Sequence, residues 1–259
     1  MKAIAIAEHI AGWLSDYADR SGTRGFVVGV SGGIDSAVTS ILAAMTTRPL
    51  LAATMPIYQS RAQVRRGRAH IEWLESRHDN VSWVNVELTS VLEALIKELP
   101  ASGDVVRREL SLVNARARLR MTTLYYFATL DNDLVVGTGN KVEDFGVGFY
   151  TKYGDGGVDL SPIADLTKTE VYALGEALGV ADDILNAPPT DGLWGDERTD
   201  EDQIGASYPE LEWAMEFNGD ETSLDARQRE VLAVYRRHRA ANRHKMAPIP
   251  VCTIPPSLR

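Results

Sequence analysis

Residues Ser31-Gly32-Gly33-Ile34-Asp35-Ser36 place two hydroxyls, a carboxylate and two glycines between a short apolar run, Phe26-Val27-Val28-Gly29-Val30, and a helical stretch reaching about Met45. Glycine tolerates positive φ and lets the backbone come close to a ligand. A helix start offers unpaired N–H groups and the positive end of the aligned peptide dipoles. Strand, loop and helix in that order form a cradle for phosphate. Asp35 adds a carboxylate to the same six residues. Two glycines alone fit an ordinary strand-to-helix turn equally well; the hydroxyls and the acid favour the cradle. No Gly-Lys-Ser/Thr follows, so the loop is not a Walker A loop.

Gly137-Thr138-Gly139 also follows an apolar run, but the third glycine of a dinucleotide fingerprint would fall at Val142. Hydride transfer is set aside on that ground. Further along, Glu143, Lys152 and Asp159 occupy a glycine-rich segment. Arg118 lies on a helical stretch shared with Arg107, Arg108, Arg116 and Arg120. Singly, each reads as well as a solvated charge. Thr167-Lys168-Thr169-Glu170 has capping-box spacing and opens a helix. Lys168 then stands in a first turn, where a cation opposes the dipole; a bound phosphate would relieve that mismatch, and an exposed lysine would tolerate it.

These groups must be positioned by a chain of 259 residues and 28.4 kDa, with 44% hydrophobic and 24% charged residues. That composition excludes a disordered chain. The net charge of −9 disfavours non-specific binding to a nucleic-acid backbone. Cys252 is the single cysteine, so a disulfide framework or cysteine zinc site within the chain is excluded. No stretch approaches the roughly 18 apolar residues that span a bilayer. Ile6, Ile10, Trp13, Leu14 and Tyr17 recur at helical spacing, so the N-terminus reads as an amphipathic helix rather than a signal peptide. A cytoplasmic protein with no membrane partner is expected.

Strands are expected at 26–30, 50–55, 82–86 and 133–137, with helices near 61–76, 88–99 and 107–130 between them. Such alternation predicts an α/β fold: a doubly wound, mostly parallel sheet with helices on both faces. Ligands of such sheets sit at the carboxyl ends of the strands, here just after Val30, Met55, Val86 and Gly137. Residues 138–165 read as a long functional or mobile loop. After a helix to about Leu178 and a loop at 186–198, a helical C-terminal part is expected near 200–206, 208–218 and 224–243, with a non-helical tail from 244. Helix 107–130 carries Leu119, Leu124, Tyr125, Tyr126, Phe127 and Leu130, which suits either full burial or a subunit contact.

The first loop resembles the pyrophosphate loop of the ATP pyrophosphatases, which split ATP between its α- and β-phosphates and adenylate a substrate. Residues 137–168 are more specific still: Gly-Thr-Gly-Asn-Lys-Val-Glu, then Thr151-Lys152-Tyr153-Gly154-Asp155-Gly156-Gly157, then Leu160-Ser161-Pro162. With Asn114 to Met121, Ala187-Pro188-Pro189-Thr190 and His244-Lys245 in order, nearly the whole chain resembles the ammonia-dependent NAD synthetases. The resemblance implies a Rossmann-like fold of the ATP pyrophosphatase type and one domain over 1–259, without the nitrilase-type amidase domain of the glutamine-using branch.

It further implies ATP-dependent amidation of deamido-NAD by ammonia through an adenylate. Carried over by position, Gly29, Val30, Ser31, Gly32, Gly33, Ile34, Asp35 and Ser36 would hold ATP with Thr138, Lys168 and Thr190. Asp35 and Glu143 would bind Mg2+, and with Lys168 they form the implied catalytic set. Arg118, Lys152, Asp159, His244 and Lys245 would bind deamido-NAD, at the interface of a homodimer. A match of Met55 to Arg61 with the family's adenine side is loose. Two other readings stay open: another adenylating enzyme of the superfamily, and a non-catalytic nucleotide sensor. Cys252 alone argues against sulfur relay, and the pairing of Asp35 with Glu143 against a sensor.

Overall fold

The computed structural model describes residues 1–190 and 199–259; the end of the expected 186–198 loop, with Gly192 and Gly195, lies outside them. Four strands form one parallel sheet in the order β3-β2-β1-β4: β1 (Phe26–Gly29), β2 (Leu50–Thr54), β3 (Val81–Asn85) and β4 (Leu134–Val136). β1 pairs with both β2 and β4, which explains its unbroken apolar character: central parallel strands are covered on both faces. Phe26 stands level with Leu50 and Leu134, and Val28 with Ala52 and Val136.

That register sorts the helices. Phe26, Val28, Leu50, Leu134 and Val136 pack with α1 (Ala3–Ser21), α2 (Ile34–Ala44) and α6 (Lys168–Leu178). α3 (Arg61–Glu75) adds Ile71 beside Val30 and Ala52. Val27, Ala53 and Val135 face the other way, against α4 (Thr89–Glu98) and α5 (Val105–Asp131). The chain moves outward from β1 to β2 and β3, then returns to place β4 on the far side of β1. A crevice opens where that direction reverses, at the carboxyl ends of β1 and β4.

A second core carries the helical C-terminal part. α8 (Asp200–Ile204), α9 (Tyr208–Glu216) and α10 (Ala226–Met246) bury Ile204, Leu211, Ala214, Val231 and Leu232 against Val142 and Val147. Those two valines belong to a π-helical turn, Lys141–Val147, inside the segment expected to be loop. Asn140 caps this turn, its Oδ1 accepting from Val142 N and Glu143 N, both at 3.0 Å. Leu160 then bridges to Val136 at the sheet edge. The short α7 (Asp182–Leu185) was not expected.

The tail also differs from expectation. α10 runs on to Met246, so His244 and Lys245 lie in its last turn, where cations suit the negative end of a helix. From there α10 straps the preceding segment: Arg239 donates to the carbonyls of Phe145 and Gly146, Asn242 to Val147 O, and Lys245 to Gly148 O and Tyr150 O.

Candidate active site

A cleft of about 280 Å³ occupies the crevice. Gly29, Val30, Ser31, Gly33, Ile34, Asp35 and Ser36 line it, as do Met55 and Pro56 after β2 and Gly137 and Thr138 after β4. α3 contributes Gln63, Arg66 and Gly67, and Arg120, Glu143, Asp155, Lys168, Thr190 and Asp200 also line it. The end of β3 takes no part, since β3 lies two strands away from β1, on the side opposite β4.

The glycine loop is held from two sides. Gly32 has φ +86°, and a Cβ there would lie 2.6 Å from Gln63 O and 2.9 Å from Gly67 N. Only glycine satisfies both the left-handed backbone and the close approach of α3. The hydroxyls brace the loop from within: Ser36 Oγ donates to Gly33 O at 2.9 Å and accepts from Ser31 N at 3.2 Å, while Ser31 Oγ accepts from Gly33 N at 3.2 Å.

Lys168 Nζ lies 2.6 Å from Asp35 Oδ2 and 2.9 Å from Glu143 Oε1. The lysine is only 3% exposed, so the local mismatch of a cation in a first helical turn is resolved by two carboxylates. Asn140 Nδ2 adds a 3.0 Å hydrogen bond to Asp35 Oδ1. Thus the loop after β1, the turn after β4 and the start of α6 meet at one ammonium. Burial lifts the Asp35 carboxyl above its ordinary range, against the pull of Lys168. Burial acts the same way on Glu143, but Lys168 and the hydrogen bond from Tyr208 outweigh it and hold this carboxyl below its ordinary range. Burial opposes the charge on Lys168, and the two carboxylates more than restore it.

Tyr208 and Asp200 were not singled out from the sequence. The Tyr208 hydroxyl lies 2.5 Å from Glu143 Oε1 and 3.2 Å from Asp200 Oδ2, and its ring packs under the Lys168 ammonium at 4.8 Å. Burial, with Glu143 and Asp200 alongside, drives the phenol far above its usual range, so it stays a hydrogen-bond donor.

Two carboxylates reaching one cation suit magnesium bound by one or two acids and by substrate phosphate oxygens. Among the described residues no cluster of three or more histidine, cysteine, aspartate or glutamate side chains could hold a metal ion without such help.

The residues expected to meet the second substrate do not line this cleft. Four of them are strung along its neighbouring loop: Arg118 donates to Lys152 O at 3.2 Å, Lys152 to His244 O at 2.9 Å, and Lys245 to Tyr150 O at 2.7 Å. Asp159 stands apart, its carboxylate accepting from Val135 N at 2.8 Å and from the Tyr125 hydroxyl at 3.0 Å. It braces the sheet edge. Asp155, by contrast, reaches the cleft while accepting from Thr151 N at 2.9 Å.

The profile of the NAD synthase family matches residues 6–248. The NH3-dependent NAD+ synthetase of Alkaliphilus metalliredigens is 42% identical over 212 residues, covering 81% of this chain and 85% of the relative. Among solved structures, the NMN synthetase of Francisella tularensis is similar with a TM-score of 0.86 at 29% identity, covering 98% of this chain and 100% of that one. The NH3-dependent NAD synthetase of Campylobacter jejuni gives 0.78 at 27% identity, again over 98% and 100% of the two chains.

Proposed function

The chain belongs to the NAD synthase family, and from that premise we propose that it amidates deamido-NAD with ammonia at the expense of ATP, giving NAD, AMP and pyrophosphate. One observation carries the assignment to this cleft: Asp35 and Glu143, far apart in the chain, reach the same ammonium beside a backbone phosphate cradle. In the first step a carboxylate oxygen of the nicotinic acid ring bonds to the α-phosphorus as the bond to the β-phosphate bridge breaks. Ammonia then bonds to the acyl carbon, AMP departs, and a proton leaves the nitrogen.

The protein contributes position and charge to both steps. The start of α2, at Ile34 and Asp35, turns its first backbone N–H groups toward the polyphosphate, while the bond from Gly33 N to Ser31 Oγ and the Ser36 hydroxyl hold the loop in shape. Lys168 supplies a fixed positive charge, and Thr138 and Thr190 offer hydroxyls in the same cleft. Asp35 and Glu143 would hold Mg2+, which when bound would draw charge from the phosphates.

We assign deamido-NAD to Arg118, Lys152, His244, Lys245 and Asp159, at the interface of a homodimer. Exposed apolar residues on α5 support that interface: Val105, Val106, Tyr126 and Leu130 are 63 to 77% exposed. Residues 1–259 act as one domain, using free ammonia in the cytoplasm, where ATP is at hand.

The test is pyrophosphate release from ATP that requires both deamido-NAD and ammonia. Because the F. tularensis relative is an NMN synthetase, nicotinic acid mononucleotide is offered in parallel. Faster turnover of the mononucleotide would replace the dinucleotide as substrate, and release without either acceptor would remove the amidation altogether.

A further inference from the structure

We propose that Arg66 is a phosphate ligand that grips the departing pyrophosphate end of the nucleotide, a role that rests on the amidation reading above. α3 carries Arg61, Arg65, Arg66 and Arg68. Arg61 and Arg65 are exposed, and Arg68 pairs with Glu72 at 2.8 Å on the outer face and covers the Trp83 ring. Arg66 alone of the four turns inward, half-buried, and lines the cleft beside Ser31 and Gly33.

Its Nε donates to Gly32 O at 3.3 Å, the glycine that α3 locks into a left-handed backbone. Among the described residues the guanidinium makes no other hydrogen bond and has no carboxylate within 4.0 Å, so its two terminal nitrogens keep their donors. The other cations of the cleft are engaged: Lys168 by Asp35 and Glu143, and Arg120 by Met55 O and Gln59. Asp35, Glu143 and Lys168 together leave that part of the cleft with a net negative charge of about one. A triphosphate needs positive charge at its outer end, and a planar fork of N–H donors matches phosphate oxygens well. The Gly32 contact fixes where the fork is held.

Calorimetric titration separates a ligand from a prop. Pyrophosphate and AMP are titrated in magnesium buffer into the wild type, Arg66→Gln and Arg66→Lys. We expect Arg66→Gln to weaken pyrophosphate by about tenfold or more, as for a lost charge-assisted hydrogen bond, and to leave AMP unchanged. Arg66→Lys recovers part of the loss. Unchanged pyrophosphate affinity overturns the proposal, and so does an equal loss for AMP, which would mean that Arg66 only shapes the loop through Gly32. If Arg66→Gln does not fold, the lysine variant carries the same comparison, with weaker pyrophosphate and unchanged AMP required. No turnover enters the measurement, so a wild type that binds pyrophosphate through Arg66 but never amidates would sink the proposed function and leave this assignment standing.

Discussion

Glu143 and Tyr208 share a 2.5 Å hydrogen bond, and it ends on the same Oε1 that takes the Lys168 ammonium. The phenol therefore fixes the rotamer of a carboxylate that α6 holds by charge. Tyr208→Phe keeps the ring under Lys168 and removes only this donor. A hydrogen bond to a charged group contributes about 1.5–3 kcal/mol, so kcat should fall by about tenfold to a hundredfold. The magnesium concentration for half-maximal rate should rise with it. Unaltered magnesium dependence would deny Tyr208 this positioning role.

Glu143→Gln keeps the shape of the side chain and removes its charge. By analogy with losing one preorganised electrostatic contact, about 2.7–4 kcal/mol of transition-state stabilisation should go. The check is kcat/KM under saturating magnesium. Turnover equal to wild type would take Glu143 out of the reaction.

Gly32→Ala meets two penalties at once. The left-handed backbone strains any residue with a Cβ, and the new methyl group would press on the backbone of α3 at Gln63 O. We expect a lower Tm together with loss of ATP affinity, read by thermal unfolding with and without nucleotide. Gly33→Ala, whose Cβ would meet nothing nearer than Ser31 Oγ at 3.4 Å, should unfold much closer to wild type.

His70 tests the same region through pH. It is buried between α2 and α3, 2.9 Å from Ser40 Oγ and stacked on Trp73, and burial depresses it from 6.5 to about 4. The unfolded chain takes up a proton below pH 6.5 that the folded chain refuses. The stability gained from a neutral His70 is therefore complete above pH 6.5 and declines as the pH falls to 4, by at most about 3 kcal/mol. Urea unfolding at pH 7 and pH 4.5 should show a smaller drop for His70→Asn than for wild type. Equal drops would mean that other groups carry the acid sensitivity.

Tyr126→Glu and Leu130→Glu put charge on the exposed apolar side of α5. In dilute light scattering the wild type should weigh twice 28.4 kDa and the double variant 28.4 kDa. A wild-type monomer would dissolve the proposed interface.

The four strands and the order of the first helices were legible because each is a local pattern: a short apolar run, a glycine or proline stop, an amphipathic period. The α/β architecture followed, and the cleft lies at the strand ends where such sheets bind ligands. The glycine loop and the Ala187 to Thr190 segment stood out as motifs, and both line the cleft. The salt bridge at Lys168 was not, because an ammonium in a first helical turn is locally unfavourable and its partners come from two distant segments. Tyr208 gave no signal either, since a tyrosine at the start of a helix reads as ordinary core. The π-helical turn hid in a glycine-rich stretch whose period of burial is set by α9 and α10, not by its own residues. The last turn of α10 offered a clue that prolines nearby obscured: Arg243, His244 and Lys245 are the basic run that ends many helices.

The strap laid by α10 over residues 145–150 ties the fate of the centre to a helix some ninety residues further along the chain. A late stop codon that trims this helix by two turns would spare the parallel sheet and its glycine loop. The product would keep Asn140, Lys168 and Tyr208 around Glu143 but lose the ties from Asn242 and Lys245 to residues 147–150, so the stretch just beyond the second carboxylate would be the first to work loose.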